Sequence, residues 1–222
     1  MRRWLRNLFY RATLADHAYR FLFQPGPADE VLVLDCETTG LHPRHDEVIA
    51  IAAIVIRGHR ILTSEAYRAI IRSDSAPSPE SIKIHRLRAR DVAEGRPMHE
   101  VLPELLRFIG GRPIVGYYVD FDVRMLDKYV LRYIEAKLPN LRIEVSELYY
   151  ALKYRGAPPG TVLDLRFRSM LSDLGIPDLG QHDAFNDALM TAMMYVQVRD
   201  MRERGARIGR ERTVRQEAPI GA

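Results

Sequence analysis

Cysteine is nearly absent from this sequence. Its 222 residues include one, Cys36, which excludes an internal disulfide and any cysteine-based zinc cluster. A reducing, cytoplasmic setting is the expectation that follows. Long apolar runs are missing too. No stretch reaches the about 18 residues that mark a membrane-spanning helix, so none is expected. The basic, partly apolar N-terminus makes a poor signal peptide, because Arg6 and Arg11 interrupt it and no clear small-residue cleavage site follows. There is no internal repeat. With 47% hydrophobic and 28% charged residues, the chain can bury a core, which argues against wholesale disorder.

Positive charge is lacking where the net charge of +4 would suggest it. Residues 1–28 carry five arginines against Asp16, and residues 199–222 carry seven arginines against four acids. The ends therefore hold +4 and +3, and the body, 29–198, is left at −3. The high pI is not the signature of a basic groove; an acidic body suits a site that holds cations.

Three regions are expected: a basic helical extension and linker (1–28), a domain (29–198) and an Arg-rich, flexible tail (199–222). Residues 1–23 read as a helix, with Trp4, Leu8 and Ala12 at spacing four. It either packs on the domain, the favoured reading, or serves as a partner- or membrane-surface helix. Gln24-Pro25-Gly26-Pro27 ends it. Strands are expected at Val31–Asp35, Val48–Ile56 and Arg60–Ile71, the last two joined as a hairpin by Arg57-Gly58-His59. A short helix falls within Pro77–Leu87, another at about His99–Ile109, and a strand at Pro113–Tyr117. Helices follow over 121–137, 145–153, 162–174 and Asp183–Val198. This order predicts an α/β sheet with helices packed on it.

The chemistry-bearing residues begin in VLVLDCETTGL, Val31–Leu41. Asp35 and Glu37 are two apart at the end of an apolar strand, so both point to one face. Asp35 could cap the Thr38-Thr39-Gly40 turn and Glu37 could be a surface residue. In the 121–137 helix, Asp122 shares a face with Met125 and Leu126, with Asp120 expected as its N-cap. In the last helix Asp183 is the N-cap and Asp187 lies with Ala184, Ala188, Thr191 and Tyr195; His182 precedes it. Helix-dipole and capping roles are available to each residue singly. As a set, these four acids lie at the rim where open α/β sheets gather ligands. No Lys or Arg stands beside them in sequence, and hard divalent cations are the natural alternative.

Asp35-Cys36-Glu37-Thr38-Thr39-Gly40-Leu41, then Gly116 with Phe121-Asp122, then His182 with Asp187 resemble the three motifs of the DEDDh 3′–5′ exonucleases. The likeness covers roughly Val31–Val198 and is greatest to the proofreading epsilon subunits of bacterial DNA polymerase III. It implies a ribonuclease H-like mixed sheet: antiparallel hairpin strands, then alternating helices and parallel strands, with helices on both faces. It implies release of 5′-monophosphates from single-stranded DNA 3′ ends. It also implies two Mg²⁺ or Mn²⁺ ions on Asp35, Glu37, Asp122 and Asp187, with His182 as general base. Thr38, Thr39, Leu41, Tyr118 and Phe121 become substrate contacts. The alternatives are an exoribonuclease acting on RNA ends, or a docking subunit of a larger DNA-processing assembly that finds its protein partner through residues 1–28. Where the family usually has His-Asn, this chain has Tyr117-Tyr118, which can stack on a base or pack inward. Ser146 stands where many relatives carry Asp. Cys36 should point away from its two acidic neighbours, into the core.

Overall fold

A computed structural model describes residues 7, 9–11, 14–73 and 87–209. Its centre is one mixed sheet. Strand β1 (Glu30–Thr38) pairs antiparallel with β2 (Val48–Arg57). The outer edge of β2 carries β3 (Arg60–Ile61) and β4 (Tyr67–Ile70), both antiparallel. On its other side β1 pairs parallel with β5 (Ile114–Gly116), which pairs parallel with β6 (Arg142–Glu144). The order is β3-β2-β1-β5-β6, with β4 on β2. This is the ribonuclease H-like arrangement expected.

The described helices are α1 (Ala89–Ala93), α2 (Met98–Ile109), α3 (Val119–Ile134), α4 (Val145–Lys153), α5 (Phe167–Leu174) and α6 (Ala184–Glu203). They cover both faces, which is why β2 reads as a continuous apolar run rather than an alternating one. Leu32, Leu34 and Cys36 of β1 face α2 and α3. Val31 and Val33 face α4, α5 and α6. The period of two thus places Asp35 and Glu37 on the α6 side and Cys36 in the opposite core. Helix α6 lies close on the sheet because Ala184, Ala188 and Ala192 are small and buried. None of the described helices is long and apolar enough to cross a membrane.

Several expectations change. The strand expected over Arg60–Ile71 is split by a 3-10 turn at Thr63–Glu65. Helix α3 begins at Val119, so Asp120 is inside the first turn and Tyr118 holds the cap position. Asp120 instead accepts a 2.8 Å hydrogen bond from Arg142. Strand β6 was not foreseen: three residues are too few to show a period. The helix expected from 162 starts at Phe167, since Asp164 ties the preceding chain to Arg166. Helix α6 runs on to Glu203, and Ile208 is buried beyond it. Near the N-terminus, one continuous helix gives way to a 3-10 helix at His17–Phe23, capped by Asp16. Leu14, Tyr19 and Leu22 enter the α2–α3 core. The helix expected within Pro77–Leu87 lies outside the described residues, apart from Leu87 itself.

Candidate active site

Strand β1 delivers two carboxylates to the C-terminal rim of the sheet, and α6 brings a third against them. One oxygen each from Asp35, Glu37 and Asp187 lies within 4.8 Å of the others. Asp122 lies outside that trio but beside it. It is 4% exposed on the buried face of α3, and its Oδ1 accepts the Cys36 backbone N–H at 3.2 Å. The sequence motifs therefore converge, with Asp122 bound to the strand segment that carries the pair.

Like charges this close, away from water, disfavour ionisation. Burial pushes the Asp35 carboxyl well above the usual range, and Asp122, Glu37, Asp187 and Asp183 add repulsion. Burial does the same at Asp122, against the Cys36 N–H and its own N–H. Glu37 rises to about 7, through burial and then through Asp187 and Asp183. Asp187 rises to about 6; burial outweighs the His182 N–H and the His182 charge. None of the four carboxylates forms an ion pair among the described residues. Arg68 shares a cavity wall with Glu37 and Asp183, yet its guanidinium lies over the Phe185 ring, 3.0 Å from the centroid. Oδ1 of Asp187 is buried with no hydrogen-bond partner among the described residues. A buried carboxylate oxygen left open among other carboxylates fits a hard cation, and the cluster can hold a metal ion.

His182 is exposed and sits at φ 66°, a left-handed conformation uncommon for a residue with a Cβ. Its backbone N–H donates to Asp187 Oδ2 at 2.7 Å, which locks the loop onto the helix it precedes. Asp183 caps that helix by accepting the Asn186 N–H at 2.9 Å. Tyr118 is also left-handed, at φ 57°. Its ring is 68% exposed and packs 4.5 Å from Tyr117, whose other neighbour is Phe167 at 5.0 Å. The Tyr117 hydroxyl donates to the Leu165 carbonyl, so Tyr117 packs inward while Tyr118 faces solvent. Sequence reasoning missed Phe167, because nothing local links a residue fifty positions downstream to this ring pair.

The loop after β1 is tightly braced. The Thr38 hydroxyl donates to the Gly40 carbonyl at 2.7 Å, and Thr39 exchanges hydrogen bonds with Glu47. A Cβ on Gly40 would meet the Asp46 carboxylate at 2.6 Å, so a larger residue there would have to move that carboxylate off the His42 N–H. The bracing leaves Leu41 79% exposed at the tip. Phe121 is half-buried beside Asp122 in the first turn of α3. Burial raises the Cys36 thiol well above its usual range, consistent with a packing residue.

Known proteins resemble this chain. The chain is 30% identical over 200 residues to a DNA polymerase III PolC-type protein of Thermotoga maritima, covering 89% of this chain and 13% of that protein. It is 29% identical over 168 residues to the DNA polymerase III subunit epsilon of Aquifex aeolicus, covering 75% and 79%. The chain thus spans about an eighth of the PolC-type relatives and most of an epsilon subunit. E. coli exonuclease I, solved with a dT13 oligonucleotide, superposes with a TM-score of 0.66 at 19% identity, over 79% of this chain and 42% of that one; at that identity the likeness speaks for the fold. The Exonuclease family model, RNase_T, matches residues 32–195, and the chain belongs to that family.

Proposed function

We propose that this chain is a divalent-cation-dependent 3′–5′ exonuclease that removes single nucleotides from single-stranded DNA ends as 5′-monophosphates. The trio of Asp35, Glu37 and Asp187 carries the reading, because its unpartnered Asp187 oxygen has no role in the fold alone. Asp35, Glu37, Asp122 and Asp187 would hold two Mg²⁺ or Mn²⁺ ions. Such a pair, when bound, would supply positive charge at both the attacking and the leaving oxygen of a phosphodiester. The His182 imidazole accepts a proton from the attacking water. The water oxygen bonds to phosphorus, the P–O3′ bond breaks, the 3′ oxygen takes a proton from solvent as it leaves on the shortened strand, and His182 returns its own proton to solvent. Its left-handed backbone and the Asp187 contact hold His182 at the site while its ring faces solvent.

The braced turn at Thr38 and Thr39 seats the terminal nucleotide, and exposed Leu41 wedges against the last bases. Phe121 packs near the same end. Tyr118 offers an open ring on which a base stacks, a contact worth ~1–3 kcal/mol. DNA is favoured over RNA because the relatives named above are DNA polymerase III proteins and the structural neighbour holds an oligodeoxynucleotide. Docking to a protein partner is proposed for the N-terminal end. Because Leu14, Tyr19 and Leu22 belong to the core, a truncation that tests docking should stop at residue 13.

The test is digestion of matched 3′-overhanging DNA and RNA with Mg²⁺ or Mn²⁺. We expect single-nucleotide release from DNA, abolished by EDTA and by Asp187→Ala. Activity that survives both treatments sinks the reading, and faster release from RNA moves it to an exoribonuclease.

A further inference from the structure

A second concavity lies beside the end of the loop that follows β1, where Val48 meets Tyr129. It measures about 430 Å³ and lies between the start of α2, the second half of α3 and the end of β4. Arg72, His99, Leu102, Tyr129, Arg132 and Tyr133 line it. Arg72 and Arg132 are exposed and form no ion pair among the described residues. Lys128 adds a further positive charge one helical turn before Arg132. Two acids lie near Lys128: the Asp46 carboxylate accepts the His42 N–H at 2.7 Å, Glu47 accepts the Ser73 hydroxyl, and both offset the Lys128 charge, which leaves Arg72 and Arg132 as the groove's own cations. Two exposed arginines that face one groove with no ion-pair partner among the described residues, on a body of net charge −3, suit an anion.

The groove is joined to the site. The Val48 N–H donates to the Tyr129 hydroxyl at 3.3 Å, and Val48 pairs with Thr38 in the sheet. The Lys128 ammonium donates to the Asp46 carbonyl, and Ser73 holds Glu47. The end of the loop 39–47 is therefore tied to α3 at Lys128 and Tyr129, next to the groove that Tyr129 lines.

We propose that the groove is an upstream subsite for single-stranded nucleic acid, where Arg72 and Arg132 neutralise backbone phosphates and the half-exposed Tyr133 ring takes a base. This rests on the exonuclease reading. The groove acts on affinity and on substrate length and takes no part in bond breaking. It answers how an acidic body retains a polyanion between cleavage events.

The test compares wild type with Arg72→Ala/Arg132→Ala on two substrates: a 12-mer of deoxythymidine, and the 4-nitrophenyl ester of thymidine 5′-monophosphate, which is too short to reach the groove. The ratio of kcat/KM values, 12-mer over ester, should fall about tenfold. Binding of labelled 12-mer in Ca²⁺ should weaken similarly, with a log K against log[salt] slope shallower by roughly 1.4, from ~0.7 per lost phosphate. Arg72→Lys/Arg132→Lys should restore both, since Lys keeps the point charge. An unchanged ratio together with an unchanged salt slope overturns the subsite. If neither substrate is hydrolysed, the exonuclease reading fails by itself, and the salt slope still decides the groove.

Discussion

The two ends of strand β1 solve one problem in opposite ways. At its start Glu30 is 6% exposed. Burial alone would raise its pKa, but hydrogen bonds from Arg57 and Arg112, each at 2.7 Å, outweigh it and hold the carboxyl below its ordinary value. At the other end Asp35, Glu37 and Asp187 are half-buried beside buried Asp122, and every pKa moves up. One strand thus carries a carboxylate matched by the chain's own cations and a pair without an ion-pair partner among the described residues. Burial is common to both ends; what separates a structural acid from a functional one is whether the fold supplies the counter-charge.

The largest effect breaks the comparison at the functional end. Asp187→Asn keeps a carbonyl oxygen to accept the His182 N–H and removes one charge from the cluster. Hydrolysis of a 5′-labelled oligonucleotide in Mg²⁺ should fall on the order of 10³-fold, the scale of losing a preorganised electrostatic contact. Melting in EDTA should move the other way, upward, because an unpartnered buried charge is gone. Retained turnover, or a lower melting temperature, contradicts the assignment of this end to external cations.

At the structural end the expected pattern reverses. Glu30→Gln leaves the Arg112 guanidinium, 20% exposed, without its carboxylate, while Arg57 is 59% exposed and largely hydrated. Breaking a fully buried pair costs about 3–5 kcal/mol, so with one solvated partner a loss of about 2–3 kcal/mol is expected. Turnover per folded molecule should equal wild type. Urea unfolding measures the first and a rate normalised to folded protein the second; a rate defect would mean the two ends are coupled along the strand.

The sequence carried much of this contrast, and what it missed has physical causes. Asp35, Glu37, Asp122 and Asp187 were legible because each is a charge on an apolar face, a conflict visible from periodicity alone. Cys36 was legible because the strand period forces it to the other side. Glu30 was not, since its partners Arg57 and Arg112 lie 27 and 82 positions away and meet it only when the sheet forms. The same holds for the Tyr117–Phe167 contact and for the groove at Arg72 and Arg132, which combines β4, α2 and α3. Strand β6 escaped because pairing with β5, not its own pattern, makes it a strand. The start of α3 was misplaced because Tyr118 takes a left-handed conformation that no propensity assigns to tyrosine.

The smallest effect, and the one that tests both ends together, is the dependence of metal-free stability on pH. Glu30 has a folded pKa below its unfolded value, so its contribution is present above the unfolded pKa and is lost as pH falls through the folded one. Glu37 and Asp187 have folded values of about 7 and about 6, above their unfolded values. Their contribution is present below the unfolded pKa and is lost as pH rises through the folded ones. In EDTA, wild type should therefore lose stability from about pH 4 towards pH 7, the interval between the unfolded carboxylate pKa and those values. Asp187→Asn should flatten that decline, because it removes a titrating group and the repulsion it exerts on Glu37. Glu30→Gln should leave the decline intact, and its deficit against wild type should shrink only in more acid solution, where Glu30 itself takes up a proton. Melts across this range separate the two slopes; a decline that Asp187→Asn leaves unchanged would trace it to groups other than Asp187.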